Sequence, residues 1–202
     1  MNRRILLRSA GFTAMGLSLA GNVSAKDDAK VGKLEPAEFK KINSEAGAKV
    51  KALKADATAL SDVDKALAGE IALGGMMQLQ ASELALKKIG SADVKLIAEA
   101  EVEEQKELAA KLKEFAAAKA IKLPDKLDEE GRQLLEELRE AGSADRTYLE
   151  KSGVKGHEAL KRTMMKVSKE AKDPMLKALA ETALPLIEVH LAVSKDEVAT
   201  MS

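Results

Sequence analysis

His157 and His190 are the two imidazoles of the 202-residue chain, and both stand on apolar stripes. His157 heads the series Leu160, Met164, Val167 and Ala171, and His190 continues Leu176, Leu179, Ala183 and Leu186 toward Val193. Two further stripes carry amides at matching places. Gln78 follows Leu67, Ile71 and Gly74 and precedes Ala81 and Ala85, and Gln105 sits between Val94, Ala98, Glu101 and Leu108, Leu112, Phe115. A buried amide, imidazole or carboxylate is unfavourable by about 1–3 kcal/mol or more unless hydrogen-bonded. Gln78, Glu101, Gln105, His157 and His190 are therefore expected to meet in one polar layer. Such a layer can fix helix register through bonds among its members and to backbone carbonyls. Alternatively, His157 and His190 can give two nitrogens to a single weakly bound divalent metal, with Glu101 or Glu188 as an oxygen ligand.

A dinuclear iron site is not expected. It draws a Glu from each of two helices and Glu-x-x-His from the other two, because i and i+3 project to one side. Here Val154 stands three residues before His157 and Ile187 three before His190. No catalytic residue set is expected either. The chain has no Cys, which removes thiolate nucleophiles, thiolate metal sites and disulfides. No Gly-rich phosphate loop or Ser-His-acid set can be singled out. Gly74-Gly75 falls inside a helix, where it permits close approach of a neighbour. Met76, Met77, Met164 and Met165 read as core filling, and the charges from Glu99 to Glu107 as mostly a solvated face with Glu–Lys pairs one turn apart.

These residues need helices to hold them. The chain is 46% hydrophobic with 2% aromatic residues, so its apolar mass is Leu, Ala, Val, Ile and Met. With Lys and Glu, this composition favours helix over sheet and predicts an all-α fold. Four long helices are expected at about 62–89, 92–119, 144–171 and 174–199. Ser61 with Asp64, Ser91, Ser143 and Asp173-Pro174 open them, and Gly90 and Gly142 close two connections. A short helix near 127–141 joins the second to the third. Pro185 falls inside the last helix and should kink it. Residues 26–34 read as disordered. Pro36 can begin an accessory helix over about 36–58, within a linker region 26–60 that precedes a bundle domain at 61–200.

Residues 1–25 read as a signal peptide. Arg3, Arg4 and Arg8 precede a weakly apolar stretch from Ala10 to Ala20, and Val23-Ser24-Ala25 is a small-x-small cleavage pattern, with cleavage after Ala25. The Arg pair before Ile5-Leu6-Leu7-Arg8 resembles a twin-arginine signal; the general secretory route is the rival. An exported, periplasmic location follows as an expectation. No later stretch is long and apolar enough to span a membrane. The whole chain balances 33 basic against 33 acidic residues. Removal of the three leader arginines leaves a mildly acidic, mixed-sign surface. With so few rings to stack bases, nucleic acid is not an expected partner.

Residues 61–198 resemble a family of exported bacterial proteins labelled "predicted outer membrane protein", a domain of unknown function with a ferritin-like four-helix fold. The resemblance rests on Gly74-Gly75-Met76 with Leu84-Ala85, on Val94-Lys95-x-x-Ala98 leading to Leu112 and Leu123-Pro124, on Tyr148-Leu149 with His157, and on Ala183-Leu184-Pro185-Leu186 with His190-Leu191. It implies a ferritin-like bundle with an extra N-terminal helix and a short connecting helix. Where the family usually carries Glu in its first helix this chain has Gln78, and where it usually carries Asp-His in its second this chain has Glu104-Gln105; both histidines are kept. The expected function is a non-enzymatic periplasmic bundle with an interaction, storage or stress-related role. The alternatives are a metal-binding bundle using His157 and His190 and an envelope-associated amphipathic protein. No cofactor beyond that single divalent ion is expected, and the oligomeric state stays open.

Overall fold

The computed structural model describes residues 30–201, which are helical apart from turns and one isolated bridge between Val31 and Leu34. The leader at 1–25 lies outside the described residues. The elements are α1 (Pro36–Ala52), α2 (Asp62–Ala85), α3 (Ala92–Ala118), α4 (Glu129–Glu140), α5 (Ala144–Tyr148), a π-helical segment (Leu149–Gly156), α6 (His157–Glu170) and α7 (Pro174–Thr200). Among the described residues, no helix is long and apolar enough to cross a membrane.

Local chemistry sets most of the boundaries. Ser61 Oγ accepts from the Asp64 amide at 3.1 Å, Ser91 Oγ from Val94 at 3.5 Å, and Asp173 from Met175 and Leu176 at 2.9 and 3.1 Å. Each bond satisfies a backbone donor that a helix start leaves without an intrahelical partner. Pro36 and Pro174 occupy first turns, where their lack of an N–H is harmless. Pro185 stays inside α7, which runs on to Thr200.

The bundle pairs α2 with α3 and α6 with α7, joins α2 to α6, and lays α1 over the seam between α3 and α7. Burial follows the predicted stripes. Every stripe residue named above on the second, third and fourth long helices is buried, and on α2 Gly74 alone is half-buried while its neighbour Gly75 is buried. The core falls into two apolar halves. One gathers around Phe115, Ile71, Met164 and Leu179, and the other around Phe39, Ile97, Tyr148 and Leu149.

Several expectations need correction. The first helix stops at Ala52 and α2 at Ala85, in both cases short of the predicted ends; Leu53 leaves α1 with extended backbone, and residues 86–88 turn out of α2 while Leu86 and Ile89 still pack on the core. The third long helix is not uniformly α-helical: residues 149–156 widen into a π-helix, a form with i→i+5 bonds. Ser143 makes no side-chain cap; Asp145 instead accepts from the amides of Gly90 and Ser91 at 3.1 and 2.8 Å and ties α5 to the start of α3. Of the lead at 26–34 expected to be disordered, residues 30–34 form an ordered turn, and 26–29 lie outside the described residues. The Gly32 amide donates to Glu197 Oε1 at 2.6 Å, and Gly32 has φ +63°, where a Cβ would meet the Val193 backbone at 2.9 Å. Met165 is 55% exposed, so only Met164 of that pair fills the core.

Candidate functional site

The polar residues predicted from the stripes converge midway along the bundle, between the two apolar halves. From α3 come Glu101 and Gln105. They are four residues apart and so stacked on one face, and Gln105 Nε2 donates to Glu101 Oε1 at 2.9 Å. Glu101 Oε2 faces both imidazoles, with His157 Nε2 at 2.9 Å and His190 Nδ1 at 2.8 Å. The ring centroids are 5.3 Å apart. One ligand atom from each of Glu101, His157 and His190 lies within 4.8 Å of the others, and all three residues are buried. Glu188, the other carboxylate weighed for this role, is exposed and pairs with Lys161 at 2.7 Å.

The outer nitrogen of each ring is also held. His157 Nδ1 lies 3.1 Å from the Ser152 carbonyl, one wide π turn earlier in the chain. Gln78 braces that carbonyl: its Nε2 donates to Ser152 O at 3.1 Å and its Oε1 accepts from Ser152 Oγ at 2.5 Å. Gly156 makes room for this amide, since a Cβ there would stand 2.8 Å from Gln78 Nε2 and Oε1. His190 Nε2 lies 2.7 Å from Asn43 Oδ1. The Asn43 amide is oriented by its own Nδ2, which donates to the Phe39 carbonyl at 2.8 Å. Phe39 stacks at 5.3 Å from His190.

Charge in this dry setting is tightly constrained. Burial works to raise the Glu101 carboxyl, but the His157 and His190 contacts outweigh it and hold Glu101 well below the ordinary range, so it is anionic. Burial works to lower His157, but the Glu101 charge and hydrogen bond win and raise it. His190 is lowered, first by burial, with the charge on His157 adding to it against the opposing pull of Glu101. Glu104 is raised by burial and then by the charges of Glu101 and Glu107. Its Oε2 sits 3.6 Å from His190 Nδ1 with no hydrogen-bond partner among the described residues. Burial, and after it the Glu101 charge, also raises Tyr148, whose hydroxyl meets Ser82 Oγ at 2.9 Å.

One contact in the layer needs a proton or a cation between its two atoms. Asn43 Oδ1 requires a hydrogen on His190 Nε2. A neutral His190 then turns a bare Nδ1 lone pair toward the Glu101 Oε2 lone pairs at 2.8 Å. A proton on Nδ1 would fill that contact by making His190 an imidazolium between Glu101 and Glu104, and a metal ion would fill it by taking the lone pair as a ligand.

A family model matches residues 49–196 of the chain. The chain belongs to the DUF4142 family, a domain of unknown function. The match begins in the last turn of α1 and ends in α7, so it includes Gln78, Glu101, Glu104, Gln105, Ser152, His157 and His190 and leaves out Asn43. Comparison with curated proteins and with solved structures finds no match.

Three participants were missed by sequence reasoning. Asn43 belongs to a legible stripe, since Phe39, Asn43, Gly47 and Val50 recur at helical spacing and the other three are buried. Ser152 acts through its carbonyl and hydroxyl inside the π-helical segment, which has no compositional signature. Glu104 hides in a charge run, although it follows Glu101 by three residues and so shares its face.

Proposed function

We propose that this chain is an exported helical-bundle protein that holds one first-row divalent metal ion between His157 Nε2, His190 Nδ1 and a Glu101 carboxylate oxygen. The observation that carries the reading is the unpaired contact between His190 Nδ1 and Glu101 Oε2, which a cation placed among the three ligands would relieve. Two imidazoles and a carboxylate suit zinc or iron(II) better than calcium or magnesium, which prefer all-oxygen sites. The outer partners support it: metal-bound histidines direct their other N–H to a carbonyl or carboxylate that fixes ring and tautomer, as the Ser152 carbonyl does for His157, and Asn43 Oδ1 supplies the same kind of oxygen to His190. A divalent charge would offset Glu101, and the Glu104 carboxyl lies beside His190 where a cation would favour its ionised form. The residues fit one ion and not two, because no second carboxylate–histidine set faces the first.

Export rests on the leader pattern at 1–25, and a twin-arginine route would carry a folded, already loaded protein. Within a ferritin-like bundle of this kind we read the role as metal binding in a storage or stress context rather than turnover. The test is elemental analysis of the purified mature protein beside a His157→Ala, His190→Ala double variant, with helicity checked by circular dichroism. The parent is expected to hold close to one equivalent of metal and the variant to lose it; equal content in both would refute the site.

A further inference from the structure

The other face of the polar layer opens onto a groove that the metal reading does not use. α2 and α3 part near Gly75 to leave a cavity of about 450 Å³ walled by Ala72, Met76, Leu79, Leu108, Leu112 and Leu123. Its size falls in the range of small-molecule sites, and its walls are apolar as such sites are. Gln105 lies at its inner end and is 1% exposed. The amide cannot turn over, because Nε2 is committed to Glu101 Oε1 at 2.9 Å. Its Oε1 is therefore presented away from Glu101, toward α2, and has no hydrogen-bond partner among the described residues. That oxygen reaches the position a side chain at Gly75 would need, since a Cβ there would stand 2.8 Å from it. A buried acceptor left without a donor is unfavourable, and nearly all such groups in folded proteins are satisfied.

We propose that this groove binds an apolar small molecule headed by a single hydrogen-bond donor, a hydroxyl or an N–H, that reaches Gln105 Oε1. The chain of the ligand lies along the leucine, methionine and alanine walls. An anionic head is disfavoured, because it would bring acceptor against acceptor with the Glu101 carboxylate directly behind. The site is distinct from the metal ligands and does not depend on an ion being bound, although Gln105 touches both.

The experiment uses the metal-free protein and two probes with the same number of heavy atoms, 1-heptanol and hexyl methyl ether, which lacks the donor. Binding is followed through the Gln105 side-chain amide and Gly75 backbone signals in nitrogen–proton correlation spectra. The alcohol is expected to bind about tenfold tighter than the ether, the scale of one buried hydrogen bond. Gln105→Met should bring the two probes level. Ala109→Phe, at an exposed groove residue remote from the histidines, should abolish binding of both while leaving the fold intact. Equal binding of alcohol and ether by the parent, no binding of either, or undiminished binding by Ala109→Phe would overturn the proposal. Metal content of each variant, measured in parallel, separates these outcomes from failure of the metal site.

Discussion

Glu101→Gln removes one charge at the point where three side chains meet. The carboxylate accepts from Gln105 and from His157, each at 2.9 Å, and faces His190 Nδ1 at 2.8 Å. A glutamine keeps one acceptor oxygen and turns an NH2 toward the remaining partner or partners. Turned one way the NH2 meets the His157 Nε2–H, turned the other way it meets the Gln105 Nε2–H, and in both the His157 contact loses its charge assistance. Hydrogen bonds to charged groups contribute about 1.5–3 kcal/mol each against about 0.5–1.5 kcal/mol for neutral ones. The variant should thus be destabilised by about 3 kcal/mol, or a Tm lower by about 6–12 °C for a domain of this size. The loss should depend on pH in a defined way. Glu101 is depressed in the folded state, so its contribution is present above the ordinary value of 4.5 and fades as the pH falls below it. His157 is raised, so its share is complete below 6.5 and fades as the pH rises through its folded value. The gap between parent and variant should therefore be widest near pH 5.5 and shrink on both sides. Urea unfolding of both proteins with a chelator present, at several pH values, measures it. A gap under about 1 kcal/mol at pH 5.5, or one that widens toward pH 3, would refute the electrostatic account.

Three further outcomes are expected. Asn43→Ala strips the acceptor from His190 Nε2; it should weaken metal binding by about 10- to 100-fold, read by competition with a chelator of known affinity, because it frees the ring orientation. Gly156→Ala drives a methyl group into the Gln78 amide and should lower stability by about 1–3 kcal/mol in chemical denaturation, as overpacking does. Lys119 bridges Asp173 and Asp56 at 2.6 and 2.5 Å with its side chain fully buried. Lys119→Met should destabilise by about 3 kcal/mol at neutral pH by leaving Asp173 unpaired. Burial works to lower Lys119 but the Asp173 and Asp56 contacts raise it above 10.5, so its contribution holds below 10.5 and is lost only as the pH climbs through the higher folded value. Parent and variant should accordingly converge in strong alkali when unfolding is followed by circular dichroism.

The long helices and their inward faces were legible because burial demands a repeat near 3.6 residues and nothing else in this composition competes with it. Glu101, Gln105, His157 and His190 were found by the same rule: a polar residue in an apolar stripe has to be answered by another. The rule is blind to what answers it. Ser152 contributes a backbone carbonyl that side-chain patterns do not encode, and Glu104 carries the same side chain as the solvated glutamates around it. Asn43 was overlooked because its helix is short and mostly polar, although its spacing from Phe39 was visible. Ser143 shows the opposite error: a residue with good capping chemistry holds the N-cap position of α5 without a side-chain cap bond, while its neighbour Asp145 serves the amides at the start of α3, a tertiary contact. The π-helical widening could not be foreseen, since residues 149–156 carry no proline and no unusual polarity. Two glycines, Gly153 and Gly156, mark where the widened backbone passes close to Ser194 and Gln78.

That widened stretch acts as a phase adjuster for everything after it. One residue more or fewer turns an α-helix by about 100°. Shortening the loop-free segment between Tyr148 and His157 by a single position would rotate His157 off the bundle axis together with Leu160, Met164 and Val167, unless the backbone found another way to take up the slack. The number of residues there is consequently constrained as tightly as the identity of its buried members Leu149, Ser152, Gly153 and Gly156. Sequence drift should be tolerated at its outward positions, such as Lys155, where an insertion or deletion would not be.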